Sequence, residues 1–171
     1  MRNMAGVGNS TLLSTDTGVP FNRDACVVIV RTEWNANIVD ALQTGCLISL
    51  KEAGLNNILI ITVPGAIEIP FAIQRYWDLK KDRDRSPGAF IALACVIRGD
   101  TPHFEYVCQS VTEGILQLNL RLPVPVIFGV LTVDTEQQAT DRVGGPDGHK
   151  GVEAAITAIK MMQLNESFKK Q

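Results

Sequence analysis

Four apolar runs, each followed by a stretch of helical periodicity, leave this chain few folds to choose from. Cys26-Val27-Val28-Ile29-Val30, Ile58-Leu59-Ile60-Ile61-Thr62-Val63, residues 89–97 and Val124 to Leu131 are continuously apolar rather than alternating. A strand with water on one face alternates, whereas a strand covered on both faces does not. After the first run, Ile38, Ala41, Leu42, Gly45, Cys46, Ser49, Leu50 and Ala53 recur at i, i+3, i+4 and i+7 spacing, and Gly54 supplies a stop. A second helix is expected from near Pro70 to the charged stretch Lys80 to Gly88. A third carries Phe104, Val107, Cys108, Val111, Ile115 and Leu118 on one face. A short helix capped by Asp134 or Thr135 leads to Arg142, Gly144 to Gly148 reads as a loop, and a last helix runs from about Gly151 to Leu164. Strands alternating with helices predict an α/β, three-layer αβα sandwich around a central four-stranded parallel sheet with right-handed crossovers. Residues 1–24, rich in Gly, Ser, Thr and Asn, read as a flexible N-terminal arm, and 25–171 as a single domain.

Ligands in such sheets bind beyond the C-terminal strand ends, so chemistry is sought at 31–37, 64–70, 98–103, 131–135 and in the segment from Arg142 to Lys150. The third strand runs straight into Arg98-Gly99-Asp100-Thr101-Pro102-His103. A helix N-terminus there offers unpaired N–H groups and partial positive charge to an anion. His103 beside it can move protons near neutral pH. Trp34, with Asn35, follows the first strand and suits a flat heterocycle, or is an ordinary packing residue. Glu68, in an apolar stretch, can accept hydrogen bonds from a polyol or compensate a helix dipole. Arg142 and Lys150 flank a glycine-rich loop and suit phosphate, or form a solvated pair. Phe128 and Gly129 interrupt the fourth strand, or are plain core.

Charge and cysteine usage exclude several classes. With 16 Lys and Arg against 18 Asp and Glu the chain has no basic surplus for general nucleic-acid binding. Its four cysteines, at 26, 46, 95 and 108, lack metal-ligand or redox spacing, and with two histidines a structural zinc site is not expected. They read as reduced core residues, which fits a cytoplasmic protein. No apolar leader segment and no bilayer-length apolar window is visible. The loop at 145–151 has the wrong spacing for a Walker phosphate loop.

Taken together, four ordered blocks resemble the 6,7-dimethyl-8-ribityllumazine synthase family: Trp34-Asn35; Val63-Pro64-Gly65-Ala66 with Glu68; Val96-Ile97-Arg98-Gly99-Asp100-Thr101 with His103-Phe104-Glu105-Tyr106; and Val124 to Thr132 continuing through Glu136, Gln137, Ala139 and Arg142 to Lys150-Gly151. The resemblance covers about Cys26 to Phe168. It implies a flavodoxin-like sheet and a cofactor-free transferase of riboflavin biosynthesis. That enzyme condenses 5-amino-6-(D-ribitylamino)uracil with 3,4-dihydroxy-2-butanone 4-phosphate and releases phosphate. It further implies that Trp34 stacks on the pyrimidine with Asn35 fixing it, and that Ala66, Ile67 and Glu68 hold the ribityl chain. Cys95, Val96 and Ile97 read the uracil edge through their backbones. Asp100, Thr101 and Arg142 bind phosphate with help from Lys150, and His103 transfers protons. Phe128 covers the ring from a neighbouring subunit of a pentamer or pentamer-based assembly. Trp34 stands where the family often has phenylalanine, which suggests riboflavin as a further ligand. Ile67 replaces a frequent aromatic and His149 a common asparagine. The competing readings are an archaeal-type riboflavin synthase, a non-catalytic flavin-binding paralogue and a flavodoxin-like carrier of flavin mononucleotide.

Overall fold

The computed structural model describes residues 22–83 and 86–169; most of the expected arm lies outside them. Four strands form one parallel sheet: β1 (Cys26–Thr32), β2 (Ile58–Val63), β3 (Pro87–Ile97) and β4 (Val126–Val133), in the order β2-β1-β3-β4. The helices are α1 (Ala36–Glu52), α2 (Ile69–Lys80), α3 (His103–Arg121), α4 (Glu136–Thr140) and α5 (Lys150–Phe168). Alternate side chains of each strand point to opposite faces. Val27, Ile29, Ile91 and Leu93 therefore pack under α1 and α5, while Val28, Val30, Phe90 and Ala92 pack under α2 and α3. The continuous apolar runs of β1 and β3 are explained by this double cover, and the three-layer αβα, flavodoxin-like expectation is borne out.

The strand order carries a functional consequence. From β1 the chain steps outward to β2 by way of α1. It then recrosses to β3 on the opposite face and continues outward to β4. The connections leaving β1 and β3 diverge, so a crevice opens between their C-terminal ends. This is the topological switch point of a doubly wound sheet.

Local signals set the element ends. Gly54, at φ 86°, follows the last turn of α1. Its N–H donates to Lys51 O at 2.9 Å and that of Leu55 to Leu50 O at 3.0 Å, closing the helix in a Schellman turn with Leu50 and Leu55 both buried. Thr135 caps α4 by accepting from the Gln138 N–H at 3.2 Å. A 3-10 turn, Ala66–Glu68, precedes α2, and Pro70 sits in that helix's first turn.

Three expectations need correction. The β2 run was read as a buried strand, but Leu59 and Ile60 are exposed. The strand lies at the sheet edge and lacks a second cover in the single chain. Phe128 and Gly129 do not interrupt β4. They pair in register with Ala92 and Leu93, and a Cβ on Gly129 would lie 2.7 Å from the Ala92 carbonyl oxygen. The segment read as a loop at Gly144 to Gly148 holds a small antiparallel hairpin, β5 (Val143–Gly145) and β6 (Gly148–His149).

That hairpin delivers α5 onto α1 at very close range. The His149 ring lies where a Cβ on Gly45 would come within 2.2 Å of it, and a Cβ on Gly151 would lie 2.0 Å from the Leu42 carbonyl oxygen. A carbonyl of a buried helix cannot step aside. Gly151→Ala is therefore expected to destabilise the fold by about 2–3 kcal/mol through overpacking. Urea denaturation checks this: a lowered midpoint at constant slope is expected, and an unchanged midpoint would show that the α1–α5 contact is looser than described.

Candidate active site

The first group of side chains gathers at the β1/β3 crevice. The turn after β1 is held against the end of β2, with the Glu33 N–H donating to Val63 O at 2.9 Å and the Trp34 N–H to Pro64 O at 3.4 Å. Thr32, buried at the strand end, donates its hydroxyl to the Trp34 carbonyl at 3.3 Å. The indole of Trp34 is left 71% exposed, too open for a packing residue. Asn35 takes the left-handed conformation at φ 55°, alone among the described non-glycine residues. Such strain is retained where surroundings over-determine it. Here its amide donates to the Cys95 carbonyl at 2.8 Å and so spans the crevice.

β1 pairs with β3 only as far as Arg31 opposite Leu93, while β3 runs on to Ile97. The last residues of β3, Cys95, Val96 and Ile97, thus turn a strip of backbone towards the crevice, and Asn35 occupies one of its acceptors. Across the crevice, Glu68 Oε2 and Trp34 Cδ1 both flank Gly65, 3.0 Å and 3.7 Å from the place its Cβ would take. Ala66 is buried beneath them and Ile67 faces solvent. A flat aromatic surface, a backbone edge and a carboxylate therefore converge on one opening.

The second group lies at the start of α3. Asp100, Thr101 and His103 are exposed, with Pro102 at the N-cap and no side-chain cap on the helix. The Glu105 N–H donates to Pro102 O at 3.2 Å; N–H groups of an uncapped first turn otherwise go to solvent or to an anion. Sequence reasoning passed over what holds this turn in place. Arg98 pairs with Glu105, donates from Nε to Asp134 Oδ1 at 2.7 Å, and lays its guanidinium 4.1 Å from the Phe104 ring centroid. The bond to Arg98 holds the Glu105 carboxyl below its ordinary range, and the same contact, followed by that to Asp134, raises the guanidinium above its own. The signal available was the Arg98/Glu105 spacing across a strand–helix junction.

The third group flanks the hairpin. Arg142 Nη1 pairs with Asp147 Oδ2 at 3.0 Å and donates to Gln138 O at 2.8 Å. Lys150 Nζ lies 3.0 Å and 2.8 Å from the two carboxylate oxygens of Glu153. Both cations are thus locally compensated rather than free. Phe128 stands apart. Its register with Ala92 puts it five residues below Ile97, roughly 16 Å at strand rise. It faces a groove of about 370 Å³ shared with Lys150 and Glu153 and one of about 440 Å³ shared with Cys108 and Thr132. It cannot join the Trp34 group of its own chain.

Among the described residues no three His, Cys, Asp or Glu side chains cluster in a way that would hold a metal ion, and no helix is long and apolar enough to cross a membrane. Fold and site together define a doubly wound α/β protein whose switch-point crevice holds an exposed indole, a carboxylate and a backbone edge beside an uncapped helix start.

Comparison with known proteins agrees and sharpens this. The model of the 6,7-dimethyl-8-ribityllumazine synthase family matches residues 24–166. A Bacteroides fragilis protein of that name is 49% identical over 144 residues, covering 83% of this chain and 97% of the relative. One from Porphyromonas gingivalis is 48% identical over 148 residues, 85% and 89% of the two chains. One from Parabacteroides distasonis is 46% identical over 149 residues, 86% and 90%. The chain belongs to the 6,7-dimethyl-8-ribityllumazine synthase family.

Burial pushes the Cys46 thiol up to about 12, and burial followed by the Glu136 charge pushes that of Cys95 up to about 11. An unfolded chain releases these protons from about pH 9, the folded one only at about 11–12. The unfolded state holds fewer protons across that window, so stability falls as pH rises through it and is unaffected by these groups below it. Thiol labelling of the native protein near pH 8 is expected to spare Cys26, Cys46 and Cys95. Rapid modification of Cys95 would mean that the end of β3 is open to solvent.

Proposed function

We propose that the protein is a transferase of riboflavin biosynthesis. It condenses 5-amino-6-(D-ribitylamino)uracil with 3,4-dihydroxy-2-butanone 4-phosphate to 6,7-dimethyl-8-ribityllumazine, releasing phosphate. The observation that carries this reading is the juxtaposition of the Trp34–Glu68–β3 crevice with the uncapped start of α3 bearing His103. A pyrimidine with a polyol tail matches the first, and a phosphate the second.

In this reading Trp34 stacks on the pyrimidine and the free β3 edge at Cys95 to Ile97 accepts its polar rim, while Asn35 fixes the turn. Ala66, Ile67 and Glu68 receive the ribityl chain, the Glu68 carboxylate accepting from its hydroxyls. Backbone N–H groups at Asp100 and Thr101 hold the phosphate with Arg142, whose exchange of Asp147 for the dianion keeps its charge compensated. Lys150 supports the same side. The amine attacks the ketone, water leaves to give an imine, phosphate is eliminated, and ring closure expels a second water. His103 carries protons between the amine, the carbonyl oxygen and the leaving groups. Holding the amine against the ketone contributes up to about 7–11 kcal/mol of barrier lowering, and the proton shuttle about 10²–10⁴-fold in rate.

Phe128 serves a neighbouring copy, since it lies far from its own chain's crevice. The exposed apolar residues Leu59, Ile60, Ile67 and Phe71 support burial against other copies, and a pentamer is the assembly we expect, in the cytoplasm. Light scattering should then give five times the 18.6 kDa chain, or a multiple of that for a pentamer-based assembly; a monomer would contradict the shared site.

A carrier of flavin mononucleotide is disfavoured by one observation: the Glu33 and Trp34 N–H groups that would cradle its phosphate are already spent on Val63 and Pro64 carbonyls. A flavin bound without turnover is separable by assay. Lumazine absorbance with both substrates should rise well above the uncatalysed background. His103→Ala should lower turnover by about 10²-fold or more without abolishing it, and Arg142→Ala should raise the KM for the butanone phosphate. Full activity in a folded His103→Ala protein would remove its assigned role. Riboflavin titration should quench Trp34 fluorescence; no quenching in a protein that turns over would exclude flavin as a further ligand.

A further inference from the structure

We infer that His149, wedged between α1 and the hairpin, is a positioning residue for the pair Arg142 and Lys150; the inference rests on those two cations receiving the phosphate-bearing substrate. Gly45 is buried in the middle of α1. A glycine weakens a helix interior relative to alanine, so its place there calls for a packing reason. The reason is the imidazole of His149. A Cβ at position 45 would lie 2.2 Å from its Cε1, 2.5 Å from Nε2 and 2.7 Å from Nδ1. The ring therefore fills the space that any side chain at 45 would need. Its Cδ2 lies 3.7 Å from the place a Cβ on Gly144 would take. The imidazole is thus held between two glycines, one on α1 and one on β5.

The same contact is kept at a second cost. His149 is the N-cap of α5, in an extended conformation at φ −134°, yet its side chain makes no cap hydrogen bond. Its Nδ1 is buried with no hydrogen-bond partner among the described residues. A buried nitrogen left unmet opposes folding. A side chain serving only as a cap would turn to the first N–H groups of α5 instead. The helix glycine and the unmet nitrogen fall at one contact, so what the ring supplies there is shape.

That shape holds the base of the hairpin. His149 pairs with Val143 across β5 and β6, and cross-strand neighbours share a face. Val143 packs against the core that α1 and α5 cover. Arg142 and Lys150 flank this anchored pair in the chain. The Lys150 N–H donates to the Arg142 carbonyl at 2.8 Å and the Asp147 N–H to the Asp141 carbonyl at 3.0 Å, while Arg142 Nη1 meets Asp147 Oδ2 at 3.0 Å. The two cations are therefore one unit, and the ring sets its distance from α1, whichever copy supplies the helix start that completes the anion site. His149 is not a catalytic residue; it acts through Lys150 and Arg142.

The test is steady-state kinetics on the full chain carrying Gly45→Ala, His149→Ala or both, with inorganic phosphate as a competing probe. Each single change should raise the KM for butanone phosphate and the inhibition constant of inorganic phosphate by about 3- to 30-fold, leaving the KM for ribitylaminouracil within about twofold. In the double variant the new methyl meets no ring, so its phosphate constants should be no worse than those of His149→Ala alone. Unchanged phosphate constants in folded single variants, equal losses for the two substrates, or losses that multiply in the double variant would overturn the wedge. Alanine favours a helix over glycine, so Gly45→Ala remains informative if His149→Ala folds poorly. Arg142→Ala, measured alongside, separates the two ideas. If it weakens phosphate while the wedge variants do not, only the wedge fails; if it leaves phosphate binding unchanged, the underlying reading fails as well.

Discussion

The pairing of β1 with β3 is the constraint on which the rest of the molecule depends. Both strands are apolar on both faces, so both must lie inside the sheet with helices above and below. Their onward connections run to opposite sides, and the backbone beyond Leu93 has no β1 partner. A gap with unpaired backbone polar groups is costly inside a protein and useful at its surface. One polar group in it is met by the Asn35 amide, and Asn35 reaches it only by adopting a left-handed backbone conformation. The fold thus produces a crevice, an orienting residue and a free hydrogen-bonding edge from a single topological fact.

Charge is arranged around that crevice in compensated sets. Arg98 is balanced by Glu105 and Asp134, Arg142 by Asp147, and Lys150 by Glu153. These pairs are partly exposed, and such pairs add little to stability on their own. Their value is geometric: each carboxylate fixes the direction of the cation it meets. The start of α3 has no side-chain cap, and the Glu105 carboxylate in its first turn is held by Arg98. The Trp34 side of the crevice carries the carboxylate of Glu68.

Much of the fold could be read from the residues, because the strands are long unbroken apolar runs and their period differs from that of the helices. The stop at Gly54 was equally legible, and the cap of α4 was narrowed to Asp134 or Thr135, of which the structure uses Thr135. The burial of β2 was not, since an apolar run does not say whether a second copy or the same chain covers it. The hairpin at Val143–His149 was hidden because glycines mark a loop and a tight two-stranded turn alike. For the site, Trp34, Asn35, Glu68 and His103 were visible as chemistry-bearing residues at strand ends. The contacts that position them were not: Asn35 meets Cys95 across 60 positions and Arg98 meets Asp134 across 36. Such pairings exist only once the parallel sheet has brought distant strand ends side by side.

The measurement that bears most directly on the account is a crystal structure of the protein with 6,7-dimethyl-8-ribityllumazine and inorganic phosphate bound. The account predicts the ring on the Trp34 indole with its polar rim against the end of β3, and the ribityl chain at Glu68. Phosphate should lie between the first turn of α3 and Arg142, with Phe128 of another copy over the ring. Lumazine seated instead in the groove between β4 and α5, or phosphate held away from α3, would contradict it.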